Sequence, residues 1–337
     1  MLSRVAESLY WMARYLERAE DVARILAVNF QAALDAPQLT ESLTWEPIVD
    51  ITGDRYLVQS RYGAFTGETV SRFLIADPAN SNAILACIER ARENARSVRE
   101  QISREMWEEI NRLYHLVRAA DVAEITRNPY SFFSDVRNGS HLFQGITDAT
   151  MAHGEGWYFI QAGKYLERAD KTTRILDVKY HTLAETIGNA GDTNPVAALQ
   201  WIALLKSASA FEPYRRVHSQ LQAWRVADFL LLDRTFPRSV LFCLGETRAA
   251  LQQTSEGGAR PGNPAERALG RLCAELEYLD IRDALADLPH YLDSLVSKIN
   301  IVGDAVTQSY FVTTNLPPLG VMDRWNRQSQ QQQQQQQ

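Results

Sequence analysis

The sequence is poor in cysteine and has no long apolar run. Its three cysteines, Cys87, Cys243 and Cys273, show no CxxC spacing, so we expect buried, reduced thiols rather than a disulfide framework. No apolar stretch approaches the length of a membrane span, and the N-terminus lacks the uninterrupted apolar core of a signal peptide. These absences predict a cytoplasmic protein that does not associate with membranes.

A basic excess and the common catalytic motifs are also missing. The formal net charge is -6, whereas proteins that bind nucleic acid without sequence preference carry a basic excess. The sequence contains no GxGxxG, P-loop or GxSxG motif. Its histidines have no metal-ligand spacing, and the Glu-x-x-His signature of di-iron bundles is absent. We therefore predict no nucleic-acid partner, no cofactor and no metal site.

What the sequence does contain is an internal repeat. Residues 15–26 read YLERAEDVARIL and residues 165–176 read YLERADKTTRIL, so eight of twelve positions agree at an offset of 150. This agreement favours duplication of a domain-sized unit over local convergence among common helix formers. Further matches follow in the same order at an offset of 156: Trp45 with Trp201, Val70 with Val226, Phe73 with Phe229, Asp77 with Asp233, Cys87 with Cys243 and Arg92 with Arg248.

Helical periodicity dominates both halves, and no stretch shows sustained alternation with a period of two. We therefore predict an all-α fold, a helical bundle built from two tandem repeats of a similar multi-helix unit. Residues 1–152 form the first helical repeat in this interpretation. Residues 153–320 form the second, packed with the first as one globular unit, and residues 321–337 form a disordered, glutamine-rich tail.

Turn residues set the expected helix boundaries. Residues 45–61 and 214–232 are each predicted to be one helix, and 81–117 to be one long helix or two with a kink, because it lacks glycine and proline. The pairs Asn128-Pro129 and Asn138-Gly139 predict a loop. Further loops are expected at 188–195 and 255–264.

The repeated Glu-Arg pairs are the first candidate site. Side chains of adjacent helical residues diverge by about 100°, so Glu17 cannot form an ordinary helical pair with Arg18. Their same-face neighbours are like-charged, and partners from other helices or a ligand would offset that cost. Such pairs are either a solvated face or an inter-helix salt bridge, or they bind an acidic or zwitterionic group. The candidate residues are Arg14, Glu17, Arg18, Glu167 and Arg168.

A basic stripe on the predicted helix 81–117 is the second candidate. Arg92, Arg96 and Arg99 stand at i, i+4 and i+7, and arginines this close could grip a carboxylate or phosphate by bidentate hydrogen bonds. The same stripe could instead face acidic residues inside the bundle. The second repeat keeps only the counterpart of Arg92. The candidate residues are Arg92, Glu93, Arg96, Arg99, Glu105 and Trp107.

Four segments resemble the alpha-E domain family: SRVAESLYWMARYLERAEDVARIL, IERARENARSVREQISREMWEEIN, YLERADKTTRIL and FPRSVLFCL. The resemblance covers about residues 1–320. It implies an all-helical bacterial protein that occurs beside, or fused to, circularly permuted ATP-grasp ligases and transglutaminase-like proteins. The association with these two classes of protein implies a role in making or modifying a small peptide by amide-bond formation. The motif residues implied by position are Glu17, Arg18, Arg92, Glu93, Arg96, Glu105 and Trp107.

Three functions are consistent with these features. The first is an accessory or scaffold protein that binds a peptide or a ligase partner through the charged helices. The second is an enzyme of amide-bond chemistry that uses Glu17 or Glu93 as general acid or base. The third is a structural oligomerisation unit. The sequence leaves the catalytic residues, the substrate and the homo-oligomeric state open.

Overall fold

A computed structural model describes residues 1–35, 41–187, 195–254 and 263–312. This part of the chain is all-α and contains no strand, as predicted. The helices up to residue 150 are α1 (Ser3–Asp35), α2 (Glu41–Thr52), α3 (Arg55–Tyr62), α4 (Gly67–Ala76), α5 (Ile84–Ser97), α6 (Arg104–Arg118), α7 (Val122–Arg127) and α8 (Pro129–Thr150).

The chain then continues from residue 155 with a second series of helices. A 3-10 turn at Leu285–Asp287 links α15 to α16, and a π-helical turn at Thr307–Phe311 follows α16. The helices are α9 (Glu155–Ile187), α10 (Pro195–Ser207), α11 (Phe211–Val217), α12 (Ala223–Leu232), α13 (Val240–Thr254), α14 (Pro264–Glu277), α15 (Ile281–Ala284) and α16 (Leu288–Val306).

The two longest helices, α1 and α9, form the centre of the bundle. Each has 33 residues, and they pack against each other along their length. Helices α5 and α8 cover the other sides of α1, while α13 and α16 cover α9. Because neighbours surround α1, it buries charged residues as well as its apolar stripe. The charged residues of α1 and α9 must therefore find partners inside the protein.

Gly163 permits a close approach between the two central helices. A Cβ atom at this position would overlap the backbone carbonyl oxygen of Tyr10 on α1. Tyr10 is fully buried beneath Phe311, so α1 cannot move aside without disturbing the core. The absence of a side chain at Gly163 therefore sets how closely the charged residues of α1 and α9 approach.

Several expected boundaries were wrong, each for a local reason. The helix predicted at 45–61 breaks at Gly53, whose φ of 78° is unfavourable for other residues. Residues 81–117 form two helices, which is one of the two predicted alternatives, because Ser103 caps α6 by accepting from the amide of Met106 (3.1 Å). The Asn138-Gly139 pair lies inside α8 rather than in a loop, since Gly139 lets α8 approach α6 closely. Residues 214–232 also form two helices, α11 and α12.

Other expectations fall on residues that the structure does not describe. The loops predicted at 188–195 and 255–264 lie almost entirely outside the described residues, and so does the predicted tail at 321–337. Within the described ranges, no helix is both long and apolar enough to cross a lipid bilayer.

The tight contact at Gly163 can be tested with a matched pair of substitutions. We expect Gly163→Ala to lower the free energy of unfolding by about 1–3 kcal/mol, because the new methyl group overpacks the seam. Gly145→Ala on the exposed side of α8 should instead raise it by about 0.5–1 kcal/mol, since an added Cβ there meets no atom within 4 Å. Urea unfolding of both variants measures the difference. Equal stability of Gly163→Ala and wild type would contradict the proposed packing.

Candidate functional site

The Glu-Arg pairs of α1 and α9 are exchanged between the two helices. Arg168 on α9 donates from Nε to Oε1 of Glu17 on α1 (2.6 Å). Arg18 on α1 donates from Nε to Oε1 of Glu167 on α9 (2.7 Å). Both carboxylates are at most 1% exposed. Each acidic residue therefore neutralises the arginine of the other helix, and neither pairs with the arginine next to it in sequence.

Glu167 lies at the centre of the first charged cluster. Arg14 donates to its Oε2 (2.8 Å), and Lys171 places its ammonium 3.8 Å from Oε1. Arg18 completes its own hydrogen bonding by donating to Oδ1 of Asn82, just before α5 (2.8 Å). The like-charged neighbours Arg14 and Arg18 thus share one carboxylate, so the cost expected from their spacing is offset by another helix.

Glu17 lies at the centre of the second cluster. Besides Arg168, it accepts from Nη1 of Arg238 (2.8 Å) and from Nε2 of Gln144 on α8 (3.1 Å). Arg238 precedes α13 and also donates to Asp21 (3.1 Å). The like-charged neighbours Glu17 and Asp21 therefore share the Arg238 guanidinium.

The second cluster brings three carboxylates of α1 within ligand spacing of one another. Oxygens of Glu17, Glu20 and Asp21 all lie within 4.8 Å. However, Arg238 donates to Glu20 (2.8 Å), and Arg24 donates to Glu20 (2.6 Å) and to Asp21. With Arg168, three guanidiniums face three carboxylates. No unbalanced negative charge remains there to attract a divalent cation.

The arginines determine how these carboxyls ionise. Burial alone would raise the pKa of Glu17, but Arg168 and Arg238 outweigh it and lower the pKa. In the same way, Arg18 and Arg14 overcome burial and lower the pKa of Glu167. Both groups are therefore ionised at neutral pH and fully engaged by donors. This arrangement makes Glu17 a poor general acid or base.

Asp21 behaves differently from its neighbours. Burial raises its pKa to about 7, and the opposing effect of Arg24 and Arg238 is insufficient, since Glu17 and Glu20 repel a third negative charge. Its Oδ2 is buried and has no hydrogen-bond partner. A proton on Oδ2 would remove the cost of holding negative charge on a buried oxygen that accepts no hydrogen bond. Asp21 is thus the carboxyl of this cluster that titrates near neutral pH.

Lys164 is another buried group with an unusual environment. It stands 150 residues after Arg14, yet within the described residues its ammonium has no ion pair or hydrogen bond. Its Nζ lies 4.3 Å from the ring centroid of Tyr165. Lys164 and Glu17 line a cavity of about 10 Å³, enough for one water molecule. Burial and Arg168 lower the pKa of Lys164 to about 8.

The second predicted candidate lies on the surface, formed by α5 and α6. Arg92 and Arg96 belong to α5, but Arg99 follows the end of this helix, so the predicted continuous stripe is broken. Arg99 instead places its guanidinium 4.5 Å from the ring centroid of Trp107 on α6. Arg96 is exposed and donates to Glu93 (2.8 Å). Glu105 is exposed in the first turn of α6.

Around Arg99, cationic and aromatic side chains alternate to form what we call the arginine–aromatic ladder. The Arg92 guanidinium lies 5.4 Å from the ring centroid of Trp107 and 4.6 Å from that of Tyr114. Arg92 is fixed by donating to Oδ1 of Asn111 (2.6 Å). Contacts of this kind hold guanidiniums in place at low cost in solvation. In order along the surface, the ladder consists of Arg99, Trp107, Arg92, Tyr114 and Arg118.

Reasoning from the sequence missed several of these residues. Arg238 could have been suspected from one feature of the sequence: it lies in the segment FPRSVLFCL, which carries part of the family resemblance. Lys164 could have been found as the counterpart of Arg14 at the repeat offset. Tyr114 and Gln144 gave no signal, because their roles depend on how separate helices pack.

Breaking an exchanged pair should be costly. We expect Glu167→Gln to lower the free energy of unfolding by about 3–5 kcal/mol, because Arg14 and Arg18 would remain buried without a counter-charge. Glu93→Gln makes the same chemical change on the surface and should stay within about 0.5 kcal/mol of wild type. Denaturant unfolding compares the two. Similar small losses would show that the exchanged pair does not hold the seam together.

Asp21 should make stability fall as pH rises. Its carboxyl binds a proton up to about pH 7 in the folded state, against a usual pKa of 3.8, so the folded state binds more protons between these values. The free energy of unfolding should therefore decrease from pH 5 to pH 7, by at most about 1.4 kcal/mol per pH unit. Glu17 and Glu167 have lowered pKa values, so their contributions are already complete above pH 5 and are lost only in acid.

Asp21→Asn provides the control for this prediction. It keeps an oxygen for Arg24 and Arg238 but cannot titrate, so its unfolding free energy should vary less between pH 5 and pH 7. Thermal or urea unfolding at several pH values measures both slopes. Parallel slopes for wild type and Asp21→Asn would exclude Asp21 as the titrating group.

Comparison with known proteins agrees with this architecture. A family model described as "a predicted alpha-helical domain with a conserved ER motif", Alpha-E, matches residues 1–311. Uncharacterized proteins of Mycobacterium bovis and Mycobacterium tuberculosis are each 24% identical over 348 residues, which cover 96% of this chain. The chain spans 38% of the length of these relatives. No solved structure matches it. The chain belongs to the Alpha-E family.

Proposed function

We propose that this protein is an accessory helical module that docks a partner polypeptide through the arginine–aromatic ladder. The exposed Arg99 guanidinium at the end of the ladder carries this proposal. Within the described residues it has no hydrogen bond or ion pair, and it is held against the Trp107 ring. Its donors therefore point to solvent in a fixed orientation, which suits a carboxylate on another chain.

The interior charges give less support to a docking role. The guanidiniums of Arg18, Arg168 and Arg238 already form ion pairs with carboxylates of the same chain. A ligand carboxylate would have to displace Glu17 or Glu167 and leave it buried without a partner, at a cost of several kcal/mol. We therefore assign the Glu-Arg pairs to the architecture and the docking surface to α5 and α6.

We also propose that the bundle consists of two copies of one multi-helix unit. Helix boundaries support this, since α4 (Gly67–Ala76) and α12 (Ala223–Leu232) are offset by 156 residues at both ends. The exchanged pairs support it as well, because each Glu-Arg pair has the same role on its own helix. A duplicated unit with exchanged charges is stable only when its two halves pack together, so 1–152 and 153–320 would form one globular unit.

For the partner, we propose the circularly permuted ATP-grasp ligases, with transglutaminase-like proteins as a second group, in a bacterial cytoplasm. Support comes from the family resemblance, which implies that such domains occur beside, or fused to, these two classes of protein. The relatives also carry more than half of their length beyond the region that this chain spans. The ligase would supply the amide-bond chemistry for a small peptide, and this module would hold the enzyme or the growing peptide.

A catalytic role receives weaker support. The engaged, ionised Glu17 is unsuited to proton transfer, and Glu93 lies exposed beside Arg96. Lys164 has the pKa of a usable base, about 8, but the adjoining cavity of about 10 Å³ has room for only one water molecule. A purely structural oligomerisation unit would predict that changes in the ladder leave partner binding unchanged.

The proposal is tested by measuring how tightly this protein binds a circularly permuted ATP-grasp ligase from the same bacterium. We expect Arg99→Ala and Trp107→Ala to weaken its affinity about tenfold or more, as for residues at the centre of an interface. Arg104→Ala on the same helix pair is the control, because Arg104 contacts Glu108 and lies outside the ladder. Calorimetric titration of full-length proteins measures each affinity. No binding by wild type, or equal affinity for all three variants, would overturn the assignment.

A further inference from the structure

Helices α13 and α14 leave an open groove between them. Two adjoining parts, of about 370 Å³ and 210 Å³, share Arg248 and Gln252. The groove walls include Gly245 and Gly270, where an added Cβ would meet no atom within 4 Å. Cys273 closes the floor. We call this surface the α13–α14 groove.

The pair α5–α6 provides a comparison, because corresponding positions can be counted from the helix starts and caps. Arg92 is the ninth residue of α5, and Arg248 is the ninth of α13. Helices α6 and α14 begin alike: Ser103 accepts from the amide of Met106, and Asn263 accepts from an amide three residues on. Residues at the same distance from these caps therefore occupy equivalent positions.

Aromatic rings fill the surface in one pair and are missing from the other. The fourth and eleventh residues of α6 are Trp107 and Tyr114, whose rings lie against Arg92. The fourth and eleventh residues of α14 are Arg267 and Ala274. No ring of the described residues lies over Arg248, which is exposed. In α5–α6, the rings of Trp107 and Tyr114 lie against Arg92. At the corresponding place in α13–α14, the open groove lies beside Arg248.

We propose that the α13–α14 groove binds an aromatic side chain of a partner polypeptide, with its ring stacked on Arg248. The α5–α6 surface shows the chemistry of the occupant, because the same chain seats Trp107 and Tyr114 on the equivalent arginine. Leu241 and Phe242 line the groove and would contact the edge of the ring.

A polypeptide is the favoured source of this ring. In the relatives, more than half of the chain lies beyond the region that this protein spans, so further polypeptide is present beside the domain. The rim of the groove carries both charges, Arg234 and Glu246 among them, which suits a backbone with polar flanking residues. This inference rests on the docking role proposed above for its biological meaning, while its test concerns the groove alone.

The test uses N-acetyl-L-tryptophanamide as the probe and saturation-transfer NMR on the full chain. Observing the ligand avoids interference from the seven tryptophans of the protein. We expect saturation of the indole protons, and affinity about fivefold or more above that of N-acetyl-L-leucinamide, because only the indole can make a cation–π contact. Arg248→Ala should remove that preference.

A matched pair of glycine variants locates the binding. Gly245→Leu places a side chain in the groove and should abolish the signal, whereas Gly145→Leu on α8 should leave it unchanged; an added Cβ meets no atom within 4 Å at either position. Thermal unfolding of both variants checks that each remains folded. Unchanged binding by folded Gly245→Leu, or equal binding of the leucinamide, would overturn the proposal.

Two further outcomes are decisive. If the probe binds only after Trp325→Ala, the groove is filled by the chain itself and the assignment to a partner is wrong. Arg99→Ala should bind the probe like wild type, since Arg99 lies on the other helix pair. Failure of the ladder test with probe binding intact would therefore refute the proposed function and leave the groove assignment standing.

Discussion

The exchange of carboxylates between α1 and α9 is the constraint on which the rest of this bundle depends. Four charged groups, Glu17, Arg18, Glu167 and Arg168, meet at one seam, and each pairs with a residue of the opposite helix instead of its neighbour in sequence. Rotating either helix by one residue, about 100°, would break both of these inter-helix pairs. The pairs therefore specify the register of the two helices. Their contribution to stability is smaller than their number suggests, because removing each charge from water offsets much of the attraction.

Each of the two charged clusters is centred on one buried glutamate, but the clusters differ at the position occupied by Arg14 in the first and Lys164 in the second. Arg14 reaches Glu167 across Gly303, where an added Cβ would lie 3.5 Å from its Nη1. In the other cluster, Gln144 contacts Glu17, while Lys164 has no ion pair among the described residues and lines a cavity with room for one water molecule. In the first cluster, the arginines lower the pKa of Glu167, so this carboxylate is ionised at neutral pH. The second contains Lys164, whose pKa is lowered to about 8, and the additional carboxyl of Asp21, whose pKa is raised to about 7.

Much of the architecture was accessible from sequence, for identifiable reasons. Helical periodicity extends over long segments, so the all-α class was predicted correctly. Helix boundaries were predicted wrongly where a single glycine determines the local structure. Gly53 stands at the end of a helix, whereas Gly139 lies inside α8, where the absence of a side chain leaves room for α6. The like-charged neighbours on α1 predicted external partners, and the structure supplies them. It could not be deduced that Arg238, from a segment far along the chain, would be one of them.

The separation of a closed interior from an open surface also determines how the ER motif should be interpreted. A motif whose donors and acceptors all pair within the chain is maintained by folding, whatever the protein binds. Substitutions at Glu17 or Arg168 would therefore abolish any function by loss of structure, and could not distinguish an enzyme from a scaffold. Arg99 and Arg248 are different, because both are exposed and can be replaced without leaving a buried charge unpaired. The chemistry that separates the possible functions lies at these two surfaces, one already holding aromatic rings and the other open to receive one.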